Sequence, residues 1–171
     1  NAEFGCAIER TFEVKNNQLI VVTQLLPQEG KVNHNFSVGP ATFTEFARPT
    51  SVTLGKSIFK EMHPTGYVNF SGELAEPVEQ EESFTFAIPK PSDESWKIGS
   101  HTGELHMDYP NYTITANALV TPGEEVCEQN TNFQVTSPEE SIDYLEISHI
   151  GSMNQLGQGK SSTVTWTFNK K

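Results

Sequence analysis

The sequence predicts an all-β fold: a single-domain antiparallel β-sandwich, jelly-roll-like, of about 10–12 strands. Three observations predict it. Prolines recur at 27, 40, 49, 64, 77, 89, 91, 110, 122 and 138. Proline lacks a backbone donor and fixes φ, so it sits between strands or at sheet edges. The runs between the prolines alternate apolar and polar residues, the period of a half-buried strand. Runs this short leave room for at most one short helix, near 56–63. A closed β-barrel is the alternative arrangement of the same strands.

Each element has its own signal. Residues 7–15 alternate, with Ile8, Phe12 and Val14 as the apolar set. Asn16-Asn17 marks a turn, because Asn tolerates positive φ. Residues 18–26 form a nearly continuous apolar run, so the pair reads as a hairpin whose second strand is central. Strands are expected at 31–38 and 41–47, the latter with Ala41, Phe43 and Ala47 on one face, and again at 51–54. Ile58, Phe59 and Met62 share a helical face over 56–63, which Pro64 ends. Further strands are expected at 66–74, 83–88, 103–109, 112–120, 131–136, 143–150 and 162–169. In the last of these Val164, Trp166 and Phe168 oppose Thr163, Thr165 and Thr167, and pairing there would tie down the chain end. Five Glu between 73 and 82 read as a solvated loop.

Composition narrows the partners. The chain has 171 residues and a net charge of −11, from 22 acids against 11 Lys and Arg. A polyanion would be repelled, so nucleic acid is not expected as a partner. No run of apolar residues is long enough to span a membrane as a helix. Only three acids are Asp (Asp93, Asp108 and Asp143), which weighs against calcium loops built on closely spaced Asp and Asn. Cys6 and Cys127 are the two cysteines. They are too far apart in sequence for a C-x-x-C site and are expected to form a disulfide, which suits an oxidising, extracytoplasmic compartment, secreted or periplasmic. Closing so long a loop would stabilise by roughly 5 kcal/mol in the chain-entropy model. Asn1-Ala2 reads as the remnant of a cleaved expression tag, leaving 3–171 as the domain.

Chemistry-bearing patterns are sparse. There is no nucleophile elbow, H-E-x-x-H, P-loop or dinucleotide fingerprint, so neither a catalytic residue nor a cofactor is assigned. Within 101–108, alternation puts Glu104, His106 and Asp108 on one strand face, a carboxylate–imidazole–carboxylate set that could hold a divalent metal. An ordinary solvated strand face shows the same alternation. Trp96 falls in a proline-rich loop, and Tyr109 and Tyr112 flank a hairpin bend; exposed aromatics there could stack on sugars or anchor a protein. Rings folded back over the sandwich end would give the same sequence. These features lean towards a non-catalytic extracytoplasmic binding or adhesion module recognising a glycan or protein surface. The alternatives are a lipocalin-like barrel carrying a small apolar ligand and a metal-dependent hydrolase using the 101–108 cluster.

Overall fold

Alternation over the first described residues builds the hairpin that opens the fold: β1 (Cys6–Lys15) and β2 (Gln18–Pro27), joined by a tight turn with Asn16 at φ 54°. The structure, a computed structural model, describes residues 6–28, 37–91, 94–121, 123–138, 143–155 and 160–171. Residues 1–2 and most of the strand expected at 31–38 lie outside these. The chain continues through β3 (Ser37–Val38), β4 (Ala41–Ala47), β5 (Ser51–Gly55), β6 (Val68–Ser71), β7 (Val78–Glu79), β8 (Ser83–Ala87), β9 (Trp96–Ser100), β10 (Glu104–Asp108) and β11 (Tyr112–Ala118). A four-residue α1 (Cys127–Asn130) precedes β12 (Phe133–Ser137), β13 (Tyr144–Ile150), β14 (Asn154–Gln155) and β15 (Lys160–Lys170).

Two antiparallel sheets make a sandwich. The larger runs β1-β2-β15-β11-β10-β5-β8-β7 and the smaller β4-β13-β12-β9-β6, with β14-β3 a separate two-stranded pair. Neither sheet closes on itself, so the barrel alternative fails. The core is one layer between the sheets. Val21, Val164, Trp166, Ile114, Leu105, Met107, Val52 and Leu54 come from the larger sheet, and Ile98, Phe133, Val135, Leu145 and Ile147 from the smaller. The last strand, β15, lies between β2 and β11.

Four sequence expectations need correction. No helix forms over 56–63. His63 N–H donates to Phe59 O at 2.8 Å, closing one turn, and Pro64 allows no second. On β4 the face carrying Phe43 points to solvent. Thr42 turns inward instead and its hydroxyl shares a 2.8 Å hydrogen bond with that of Thr23, while Phe46 packs on Trp166. The two faces of β4 have similar hydrophobicity, so these contacts decide the matter. Within the expected Glu-rich loop, Val78–Glu79 pair with β8 as an edge strand. Trp96 does not hang in a loop; it opens β9 and is 4% exposed, in the core.

No helix among the described residues is long and apolar enough to cross a membrane.

Candidate functional site

Strand register brings polar side chains together at one end of the sandwich. On β13, Leu145, Ile147 and His149 alternate onto the core face, and His149 lies opposite Phe133 on one side and Thr42 on the other. On β15, Ser162 precedes Val164 and Trp166 on the facing surface and pairs with Thr23. Both sheets thus present their core faces to each other, but at this end the residues are His149, Thr42, Thr23 and Ser162 rather than aliphatics. Gly151 allows the close approach: a Cβ there would lie 2.6 Å from Ser162 Cβ and 2.8 Å from Pro40 Cγ. A larger residue would push the β13 end away from β15.

A cavity of about 270 Å³ opens at this point, lined by His101, His149, Asn132, Glu124, Lys160 and Ser162 among others. His149 is 3% exposed, and burial pushes its pKa down to about 4, so the imidazole is neutral at pH 7. Its Nδ1 and the Ser162 Oγ are buried without a hydrogen-bond partner among the described residues. Unpaired buried polar atoms are costly; these two atoms are closed off from solvent, while their residues form part of the cavity wall. At the rim Lys160 Nζ donates to Glu124 Oε1 at 2.9 Å. Hydrogen bonds from Ser152 and Lys160 hold the Glu124 carboxyl below its ordinary pKa.

A left-handed turn sets the second imidazole. Glu128, Gln129 and Asn130 have φ of 51°, 56° and 57°, a conformation that costs non-glycine residues of order 1 kcal/mol each. It exposes two carbonyls to two histidines. Asn130 O accepts from His101 Nδ1 at 2.8 Å, and Gln129 O from His63 Nε2 at 2.7 Å. His101 Nε2 is then its basic nitrogen, and burial lowers its pKa from the ordinary value. His63 completes its bonding through Nδ1, 2.6 Å from Ser57 Oγ. Asn132 fixes the backbone beside His101: its Oδ1 accepts from Thr102 N–H at 2.8 Å and its Nδ2 donates to Thr102 O at 2.7 Å.

The residues singled out by sequence fall elsewhere. Glu104, His106 and Asp108 do share the solvent face of β10. His106 Nε2 approaches Glu104 Oε1 at 3.1 Å and its Nδ1 lies 3.0 Å from Thr115 Oγ1, but Asp108 is drawn away to Lys171 at 2.8 Å. No group of three such ligands converges among the described residues. Tyr109 is buried, its hydroxyl donating to Ala47 O at 2.7 Å, and it stacks on Tyr112 with centroids 4.3 Å apart. Only Tyr112 of the three aromatics keeps an exposed face. Cys6 is buried; the expected pairing with Cys127 cannot be followed, because the Cys127 side chain lies outside the described residues. Sequence reasoning missed His149 and gave His101 no role beyond its place in the 101–108 cluster. The available signal was a histidine on the core face of a strand, in step with Leu145 and Ile147.

No family model and no curated protein matches the sequence. A solved structure does share the fold: a crystal structure from Escherichia coli K12 described as a putative aldose 1-epimerase, with TM-score 0.60 and 14% sequence identity. The match covers 96% of this chain and 60% of that one, so the chain spans less than two thirds of its neighbour. The likeness is one of fold. It corrects the expectation of a non-catalytic binding or adhesion module, since the neighbour bears the name of a catalyst. The hydrolase alternative gains nothing from it, and the lipocalin-like carrier fails on the open sheets.

Proposed function

We propose that the protein is a sugar-processing enzyme of the aldose-epimerase type, which interconverts anomers by proton transfer in the cavity between the sheet ends. The observation that carries this reading is the neutral, buried His149 in the wall of a cavity shared with Ser162 and the Lys160–Glu124 pair. The fold shared with the aldose epimerase supports it. At about 270 Å³ the cavity lies just below the usual range for sites of drug-sized ligands, which begins at about 300 Å³, and suits a monosaccharide.

Anomer exchange needs only two proton movements. The His149 imidazole takes the proton of the anomeric hydroxyl, and the carbonyl forms as the C1–O5 bond breaks. The ring oxygen takes a proton from the Lys160 ammonium, leaving an open-chain aldehyde. Rotation about C1–C2 and the reverse transfers close the other anomer and restore both side chains. Positioned acid–base groups of this kind contribute about 10²–10⁴-fold. His101 Nε2 would orient a remaining hydroxyl. Polarimetry or NMR on freshly dissolved α-anomers of glucose, galactose and xylose tests the proposal. Wild type should speed equilibration, and His149→Gln should lower that rate by about 10²-fold or more while the protein still melts cooperatively. No acceleration with any of the three sugars would overturn it.

We also propose that Cys6 and Cys127 are bridged and that the protein works in an oxidising compartment. Register supports the pairing. Cys6 lies opposite Pro27 at the end of β2, Leu25 pairs with Lys160, and Lys160 binds Glu124, three residues before Cys127 in the chain. Alkylation of denatured, unreduced protein should add no mass. Two alkyl groups would refute the bridge.

A further inference from the structure

The larger sheet is wider than the smaller one, and β1 overhangs. On β2 the core face carries Val21, Thr23 and Leu25, so the paired residues of β1 on that face are Phe12, Arg10 and Ile8, with Val14 next to the turn. The smaller sheet ends at β4, and among the described residues the Arg10 guanidinium reaches it from β1, donating to Ala41 O at 2.9 Å. Ile8, Phe12 and Val14 therefore stand 59%, 63% and 74% exposed on a face that elsewhere in the sheet is core. β1 is also a sheet edge ten residues long. It has neither proline nor bulge, two of the devices that blunt an edge against pairing; charged side chains are another, and those of β1 (Glu9, Arg10, Glu13 and Lys15) limit the registers a partner strand can take. The opposite edge of the same sheet is the two-residue β7.

Backbone direction and charge together select what covers this edge. The two-residue turn closes on Lys15 opposite Gln18, so odd residues of β1 direct their N–H and C=O groups to β2, and Ile8, Arg10, Phe12 and Val14 direct theirs outward. A second β1 running antiparallel about a two-fold axis would use those groups. Among the registers that keep this parity, one centred on Arg10 puts two guanidinium groups opposite each other. Registers that pair Glu9 with Glu13, or Glu13 with itself, oppose carboxylates. Centring on Phe12 instead sets Glu9 against Lys15 of the second copy, twice over, with Thr11 against Glu13 and Phe12 against Phe12. Lys15, which already touches Glu13 of its own strand at 2.8 Å, stays exposed enough to reach across.

We propose that two copies of this chain associate through antiparallel β1–β1 pairing centred on Phe12, joining the larger sheets into one continuous sheet and setting the two apolar overhangs side by side, so that each shields the flank of the other. The interface is isologous, as two-fold pairing requires. This proposal is independent of the sugar chemistry, because β1 lines no part of the cavity described above.

Sedimentation velocity over a dilution series tests it on wild type, Lys15→Glu and the double variant Glu9→Lys/Lys15→Glu. Wild type should be a dimer that dissociates on dilution. Lys15→Glu, which sets like charges opposite twice, should raise the dissociation constant about tenfold or more, and the double variant should return it towards wild type. Amide hydrogen exchange gives a second measure on unmutated protein: protection at Ile8, Arg10, Phe12 and Val14 should rise with concentration. A wild-type monomer at every concentration overturns the proposal. So does a dimer indifferent to Lys15→Glu, a double variant that fails to recover, or β1 protection that does not depend on concentration.

Discussion

Replacing Trp166 with Ala is expected to destabilise the protein by about 3–5 kcal/mol, the range for deleting a large buried aromatic. Trp166 lies on β15 between Leu19 of β2 and Ala116 of β11, so it sits in the middle of the larger sheet. Its ring meets Phe46 of the smaller sheet at 4.7 Å between centroids, tilted by 51°. It is thus a main contact holding the two sheets face to face near the β4 side. Ala116 and Leu19 are too fixed in their strands to fill the space an Ala would leave, so the lost contacts are not recovered. The indole Nε1 has no acceptor among the described residues. Trp166→Phe gives up no hydrogen bond and removes a buried unpaired donor, so it should cost less than half as much as the Ala variant. Phe46→Ala should cost less than Trp166→Ala because Phe46 is only half-buried, and the double variant should show about 0.5–1.5 kcal/mol of coupling. Denaturant titration of the four variants and wild type measures all of this. A Trp166→Phe variant as unstable as Trp166→Ala would show that the nitrogen makes a bond that matters.

The fold was legible because its signals are local. Alternation over 7–15, the Asn16-Asn17 turn and the Val164–Trp166–Phe168 stripe each report a strand from within a few residues, and the structure has β1, β2 and β15 there. Where a choice depended on distant partners the sequence was silent. Nothing in residues 41–47 tells which face of β4 meets Trp166, and the Thr23–Thr42 hydrogen bond that settles it joins strands from different sheets. The site failed to show for the same reason. His101 follows β9, His149 ends β13, and Glu124 and Lys160 come from a loop and from the start of β15. Only the β9-β12-β13 pairing and the stacking of the two sheets gather them. The local cluster at 101–108 was easier to see because three of its side chains alternate along one strand, but alternation places them on an ordinary solvent face. Polar residues in core-facing positions at strand ends, such as His149 and Ser162, were the more informative pattern, because burial makes each of them costly unless something uses it.

That cost can be measured through pH. The protein is expected to lose about 3 kcal/mol of stability as pH falls from about 7 to 4, with His149 as the main cause. Burial lowers the His149 pKa to about 4 in the folded protein, whereas the unfolded chain takes up the proton near the ordinary value of about 6.5. Between those values the unfolded state binds more protons, so stability rises with pH through the interval. The His149 contribution is complete above about pH 7 and is lost progressively as pH falls through about 4, below which both states are protonated. His101, also lowered by burial, acts in the same direction. Glu124 and Glu128, whose pKa values are lowered by hydrogen bonds from Ser152 and Lys160 and from Lys97, lose their contribution only as pH falls below the ordinary carboxylate range. The interval from pH 7 to 5 therefore belongs to the histidines. Urea unfolding at steps across it should give a steep slope for wild type and a much flatter one for His149→Gln, which cannot take up the proton. Equal slopes would mean that His149 is protonated in the fold, with a partner for its charge. The same neutral state bears on catalysis. An imidazole that stays unprotonated down to about pH 4 can accept the anomeric proton from pH 7 to 5 wherever the protein remains folded, so a fall in the His149-dependent rate across that interval should not follow titration of this base.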